Sequence, residues 1–354
     1  MGCCCLDHRT PIAYFTMAKA NLDDGVIVAR YDAMHPIIGD AAGGTSGGTL
    51  TVSGSRVIHA VIQGSFGGSV LVTTCFDVDN LPTVIWTRKE TMAGSNNFTY
   101  SYSDESYVWV ATDLGYAYCY RVTDGELQGS ATSLKGMAAI TSGTTAGRCQ
   151  FGHMAEYDHE YTVIQSTSIG GTYRESYSSA TQHIAYHGNK IYVVEKDDLA
   201  TATEIGSTGF STPTLTYFDG DYYYMRDDSF SLTTSSYDTT GTLNWSFSGL
   251  ESFYTHDDQG FVYSGNDGTK KRSRTDGSLS WHTTGAANGG RRWSGGVDNN
   301  LDHVIGWQSR FLNQSDGVFQ YASSGTTGDG SGRATTGIVI GDYWWTTGFR
   351  GVLP

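Results

Sequence analysis

The most metal-like stretch of this chain is His153-Met154-Ala155-Glu156-Tyr157-Asp158-His159-Glu160. Extended as one strand, it puts His153 and His159 on one face and Glu156, Asp158 and Glu160 on the other. A metal needs its ligands converging on one point, so the stretch reads as a solvated turn at Asp158 to Glu160. Asp77-Val78-Asp79-Asn80 and Asp219-Gly220-Asp221 offer the opening oxygens of a calcium loop. Neither supplies the further oxygens and closing Glu such a loop needs, so both read as polar hairpin turns. The GxSxG string Gly44-Thr45-Ser46-Gly47-Gly48 lies within a Gly-rich run, and no strand-to-helix elbow is expected there to present a nucleophilic serine. A carboxylate pair for glycoside cleavage would have to converge from distant segments, which spacing does not reveal. The expectation is a protein that is not an enzyme, with no catalytic, cofactor-binding or metal residue.

Charge and aromatics narrow the partners. With 22 Lys plus Arg against 36 Asp plus Glu, the net charge is −14, and phosphate binding rests on basic neutralisation. The general surface is therefore expected to let DNA pass without gripping it. Lys270-Lys271-Arg272-Ser273-Arg274 and Arg291-Arg292-Trp293 are the basic clusters. Alternation places Lys270, Arg272 and Arg274 on one face, expected to meet a neighbouring subunit or solvent. Tyr222-Tyr223-Tyr224 and Trp344-Trp345 could offer rings to a glycan. Adjacent strand residues point to opposite faces, so at least half of these rings belong to a core. The Gly-rich stretches 43–48 and 325–332 lack the Lys-Ser/Thr end of a phosphate loop and read as flexible loops.

The elements that must position these side chains recur. A polar turn followed by an alternating run appears about eight times, as in Ser53-Gly54-Ser55 before Val57-Ile58 and Ser103-Asp104-Glu105 before Tyr107-Val108-Trp109-Val110. It returns at Asp158-His159-Glu160, His187-Gly188-Asn189, Asp219-Gly220-Asp221, Asp257-Asp258-Gln259, Asn299-Asn300 and Gly341-Asp342. Seven intervals separate Gly54 from Gly341, a mean of 41 residues, the length of a four-stranded propeller blade. Two intervals are irregular, 55 residues from Asp104 to His159 and 29 from His159 to Gly188. They suggest an insertion near 136–152 and one trimmed blade. No sustained 3.6-residue apolar spacing is present, so helix should be scarce.

A second mark keeps the same beat. Asp238-Thr239-Thr240-Gly241 leads to Trp245, Asp276-Gly277 to Trp281, Asp316-Gly317 to Tyr321, and Thr123-Asp124-Gly125 to Leu127. Gly supplies the positive φ that such hairpin corners need. Gly125, Gly241, Trp245, Gly277, Trp281, Gly317 and Tyr321 are therefore the expected structural corners of the blades. These corners resemble PQQ-type and WD-type propeller repeats, over roughly residues 50 to 350. The resemblance implies that the Trp packs between neighbouring blades; it implies no activity. The Trp-Asp dipeptide of WD repeats and a quinone site are both missing. The corner is also similar to a sialidase Asp box, except that Gly277 follows Asp276 directly where the box has Gly two residues on.

The expected fold is all-β: a single propeller of eight, alternatively seven, four-stranded blades closed by an N-terminal strand. Residues 1–25 read as an arm, 26–38 as the closing strand, with Val26 to Tyr31 completing the blade of Ile338 to Trp345, and 50–350 as blades. Met1-Gly2-Cys3 has Leu6 where a myristoylation pattern wants Ser or Thr, and neither a secretory signal nor a membrane span is expected. Cys3, Cys4, Cys5, Cys75, Cys119 and Cys149 form no CxxC pair. Cys75 and Cys119 read as buried thiols. The functional expectation is a structural platform of a large assembly, with a homo-oligomeric ring and virion proteins as partners. The tail nozzle proteins of short-tailed phages resemble this reading, which implies a virion location and an acidic lumen for DNA. The alternatives are a receptor- or glycan-binding adhesin and, behind it, a carbohydrate-active hydrolase or lyase.

Overall fold

The computed structural model describes residues 12–36, 49–63, 68–79, 83–94, 99–112, 114–132, 134–139, 145–149, 154–167, 173–178, 181–187, 190–207, 213–227, 232–251, 253–257, 260–264, 268–284, 297–298, 303–306, 310–322 and 336–352. Within them every regular element is a strand, and the strands form eight four-stranded antiparallel sheets. Sheets 1 to 7 follow the chain, over 49–92, 99–131, 134–166, 173–207, 213–248, 253–283 and 297–322. Sheet 8 joins the two ends of the chain: Thr336–Ile340 and Tyr343–Val352 pair on into Ile12–Asn21 and then Ile27–Pro36. The first strands of sheets 1 to 6 lie beside one another in sequence, and Thr336–Ile340 lies beside the first strand of sheet 1. First strands therefore face inward and fourth strands form the outer edges.

Two sequence expectations are corrected here. The strand expected from Val26 exists as Ile27–Pro36, but it is the outermost of its sheet. Ile12–Asn21, assigned to the arm, makes the join, running antiparallel to Tyr343–Val352 from Ile12↔Val352 to Asn21↔Tyr343. Small alanines at 13, 18 and 20 weaken its alternation as a sequence signal, yet Ala18 and Ala20 are buried where neighbours come close. Residues 1–11 lie outside the described residues. The irregular spacing also has a cause other than a trimmed blade. Asp158 to Glu160 precedes a fourth strand, Val163–Ser166, and His187 precedes a third strand, Lys190–Glu195. The polar turns at Asp158 and His187 are thus different turns of the repeat from the one that precedes the second strand of the other sheets. The supposed insertion at 136–152 holds most of the first two strands of sheet 3, Leu134–Ala139 and Thr145–Cys149.

The core sits between sheets. Val57 to Ile62 is buried at every position, as in a strand covered on both faces. Val57 and Val61 pack with Met17 and Trp345 of sheet 8, while Ile58, Ala60 and Ile62 pack with Val108 and Val110 of sheet 2. Register extends the division to the third strand, since Val57↔Phe76 and Val61↔Val72 share one face and Ile58↔Cys75 and Ile62↔Leu71 the other. Each such side chain contributes about 1.5–3 kcal/mol. A one-residue slip would send each set to the wrong neighbour. Burial also pushes the Cys75 thiol up to about 12, so it is an inert core residue.

Candidate functional site

The local geometry that repeats most faithfully is the outer corner of each sheet, where the third strand turns into the fourth. Every fourth strand carries a register shift, near its start in seven sheets and near its end in sheet 4: between partners Cys75/Phe76, Leu127/Gly129, Glu156/Tyr157, Ile191/Tyr192, Ser236/Tyr237, Lys271/Arg272, Phe311/Leu312 and Lys19/Ala20. A bulge re-aims the next side chain. The residue just past it is Trp86, Gly129, Gln165, Gly206, Trp245, Trp281, Tyr321 and Ala29 in turn.

Four of the turns before these strands are the same structure. In each, the first residue donates its N–H to the sixth carbonyl and the Gly N–H donates back to the first: Asn21/Val26 with Gly25, Arg121/Glu126 with Gly125, Ser273/Ser278 with Gly277, and Asn313/Val318 with Gly317. The Asp before each Gly accepts the N–H two residues on, at 2.9 to 3.0 Å. The four glycines have φ of 69 to 72°, a conformation that excludes most side chains. These two demands explain the Asp-Gly signature.

The corner glycines and tryptophans meet across sheets, one repeat out of step with their order in the sequence. Trp86 covers Gly125, Trp245 covers Gly277, and Trp281 covers Gly317; a Cβ on Gly125 or Gly277 would come within 2.6 or 2.7 Å of the ring. Each indole N–H donates to the carbonyl three residues before its glycine, Val122 at 2.8 Å, Arg274 at 2.9 Å and Gln314 at 3.0 Å. Trp245 therefore serves the turn of Gly277, and Gly241 belongs to the preceding junction. Sequence reasoning missed Trp86, although it stands 39 residues before Gly125. The Tyr321 side chain lies outside what the structure describes.

Junctions without Trp solve the same problem differently. In sheet 4 the residue past the late bulge is Gly206, and Gly241, at φ +85°, lies against the backbone of Ile205 and Gly206. Between sheets 2 and 3 the sizes are exchanged. Gly129 lies beneath the backbone of His159 and Glu160, and Tyr161 takes the turn position at φ 64°. Gln165 accepts the Leu199 N–H at 3.1 Å while donating to Glu156 at 2.6 Å. Lys19 donates to the Val78 carbonyl at 3.2 Å and lies 4.0 Å from the Tyr343 ring centroid.

The basic run 270–274 is neutralised within the chain, against the expectation that it meets solvent or a neighbour. Glu251 takes Arg272 through two bonds, 2.7 and 2.9 Å, and Lys270 at 2.8 Å. Lys271 lies on the opposite face, 3.2 Å from Asp257 and donating to the Gln314 carbonyl at 3.0 Å. Arg274 pairs with Asp219 and Asp221, each at 2.8 Å. Alternation is what sends Lys271 away from Lys270 and Arg272; Arg274, in the turn, reaches back to sheet 5. Residues 291–293 lie outside the described residues.

The metal-like stretches are likewise engaged. Asp158 accepts the N–H groups of Glu160 and Thr162 at 2.9 and 2.8 Å, and the His159 ring stacks on Tyr107 at 4.7 Å. His153 lies outside the described residues. Asp219 accepts from Tyr224 Oη at 2.6 Å besides pairing with Arg274, and Asp77 accepts from Arg56 at 3.1 Å. Among the described residues no three His, Cys, Asp or Glu gather as a metal site. Tyr223, Tyr224, Trp344 and Trp345 are all buried, and Tyr222 is half-buried beside Arg274.

Acid should weaken this structure in two stages. Burial, with Lys196 nearby, lowers the His183 imidazole to about 3. The unfolded chain takes up that proton near pH 6.5, so stability is complete above 6.5 and falls as pH drops towards 3. Burial alone would raise the Glu251 carboxyl, but Arg272 and Lys270 hold it below 4.5, adding a further loss beneath that pH. Thermal melting from pH 7 to 5 should show a falling Tm in the wild type and a flatter profile in His183→Gln. Parallel profiles would refute the assignment to His183.

The sheets, their inward first strands and their interlocked corners define a β-propeller. In fold the chain is similar to the computationally designed Ika8 protein, with a TM-score of 0.61 and 11% identity over 86% of this chain and 95% of that one. It is also similar to BamB from Moraxella catarrhalis (0.54, 12% identity, 94% and 90% covered) and to the WD40 domain of Toxoplasma gondii coronin (0.52, 13% identity, 96% and 86% covered). At these identities the likeness is one of fold. No protein-family model matches the chain, and no curated protein sequence matches it.

Proposed function

We propose that this chain is a closed eight-bladed propeller acting as a non-enzymatic structural platform in a large assembly, a virion tail component such as a nozzle. The observation that carries the reading is where the recognition chemistry has gone. Trp86, Trp109, Trp245, Trp281, Trp344 and Trp345 are buried, so these rings are spent on packing and are withdrawn from any glycan. The cations of 270–274 are held by carboxylates of the same chain, so they are withdrawn from phosphate. The chain as a whole is acidic, at −14, and on this reading it borders a lumen through which DNA slides. Closure of the ring turns on the junction of sheets 7 and 8. There Tyr321 holds the strand position of the tryptophans and Gly25 the turn position of Gly317. Partners on this reading are other virion proteins and further copies of the chain in a homo-oligomeric ring.

Native mass measurement of the purified chain, paired with a glycan array, tests the proposal. A discrete ring with no glycan hits is the expected result. A monomer that binds a defined glycan would establish the adhesin reading in its place.

A further inference from the structure

The outer strands of sheets 2, 3, 5, 6 and 7 are Leu127–Ala131, Val163–Ser166, Leu243–Ser248, Leu279–Thr283 and Phe319–Ala322. None contains Asp, Glu, Lys or Arg, in a chain of which 16% is charged. The outer strands of the other sheets do: Arg88, Lys89 and Glu90 in sheet 1, Glu204 in sheet 4, Arg30 and Asp32 in sheet 8. Charge on an edge strand is a standard guard against pairing with another chain. Here five edges lack it, and each begins with a large apolar residue 43% to 54% exposed: Leu127, Val163, Leu243, Leu279 and Phe319.

These edges form two arcs. Sheets 5, 6 and 7 are contiguous through Trp245 on Gly277 and Trp281 on Gly317, and sheets 2 and 3 through Gly129 beneath His159. Sheet 4 separates them, its edge marked by the exposed Lys190–Glu204 pair at 2.6 Å. In a ring of eight the arc centres fall three and a half sheets apart, nearly opposite each other. Two copies, each at −14, meet with less electrostatic opposition along these uncharged strands than across the rest of an acidic surface, the exposed carboxylates of Glu126, Glu160 and Asp276 lying in the turns at one end of them. Because the arcs differ and sit on opposite sides, the contact between copies is heterologous, the type that builds rings when the rotation closes.

We infer that the uncharged arc of sheets 5 to 7 docks on the uncharged arc of sheets 2 and 3 of a second copy. The inference rests on the ring-forming reading above and specifies its contact. Sedimentation velocity on the full chain tests it with Leu243→Lys plus Leu279→Lys on one arc and Leu127→Lys plus Val163→Lys on the other. All four positions are exposed, so both variants should melt like the wild type. Wild type should assemble, and each variant should weaken assembly about a hundredfold or more, since burying unpaired ammonium groups in an interface costs several kcal/mol. A mixture of the two variants should give dimers and nothing larger, because one intact arc remains on each. Wild-type assembly that both variants retain would overturn the arcs and leave the platform reading standing. A mixture that stays monomeric would overturn the heterologous contact. A wild type that is monomeric at every concentration would sink both.

Discussion

Gly241→Ala should cost about 3–5 kcal/mol of stability, whereas Gly54→Ala should cost about 1–2. Both glycines have positive φ, +85° and +52°, so both substitutions strain the backbone. They differ in what the new methyl meets. At Gly54 nothing lies within 4 Å; at Gly241 the methyl would overlap the Ile205 carbonyl in the outer strand of sheet 4. That neighbour is backbone, held between Glu204 and Gly206, which pair with Tyr192 and Ile191 on either side of the bulge, and cannot rotate away as a side chain end could. The only relief is to part sheets 4 and 5, which forfeits packing along the junction. Against a total of about 5–15 kcal/mol for a folded domain, this is a large share. Urea denaturation of the two variants side by side provides the comparison. Equal losses would mean that the close approach of Gly206 and Gly241 carries no energy.

That contrast shows what the sequence could and could not disclose. The Asp-Gly corners were legible because two local requirements, an acceptor for the N–H two residues on and a positive φ, restrict the turn to few residue types. Tryptophans 245 and 281 stood out against them because the interval from one junction to the next is nearly constant. Trp86 was harder, since its turn partner Gly125 lies in a repeat whose own fourth strand has Gly129 in place of an aromatic. Gly129 and Tyr161 do the same geometric work with reversed sizes, and Gly206 and Gly241 do it by direct approach of two backbones. A search for one recurring residue passes over such exchanges, because a junction can be closed by a large residue on either side or by none. The misplaced phase at Asp158 and His187 has the same root. A polar turn before an apolar run marks any strand start, and only pairing tells which strand it is. The basic run of sheet 6 was legible as alternating but not as neutralised. Its carboxylates, Asp219, Glu251 and Asp257, lie 14 to 55 residues earlier and converge only when the sheets stack.

The second large effect should come from that stack. Asp257 and Lys271 are almost wholly buried, and Asp257 also accepts from Gln314 Nε2 at 2.7 Å. The Gln314 carbonyl in turn receives both Lys271 and the Trp281 indole, so the ion pair and the tryptophan lock between sheets 6 and 7 share an acceptor. Asp257→Ala leaves a buried ammonium beside an amide that has lost its acceptor, and should lower stability by about 3–5 kcal/mol. The triple variant Asp257→Leu, Lys271→Met, Gln314→Met removes every charge and side-chain amide while keeping the backbone carbonyl that Trp281 uses. It should recover most of that loss, because an apolar cluster of similar volume avoids the desolvation of two ions. Glu204→Ala, which breaks the exposed pair with Lys190, should change little. A single Asp257 variant as benign as the Glu204 one would show that the buried pair does not hold sheets 6 and 7 together. A triple variant as damaged as the single one would instead assign the loss to packing around Gln314.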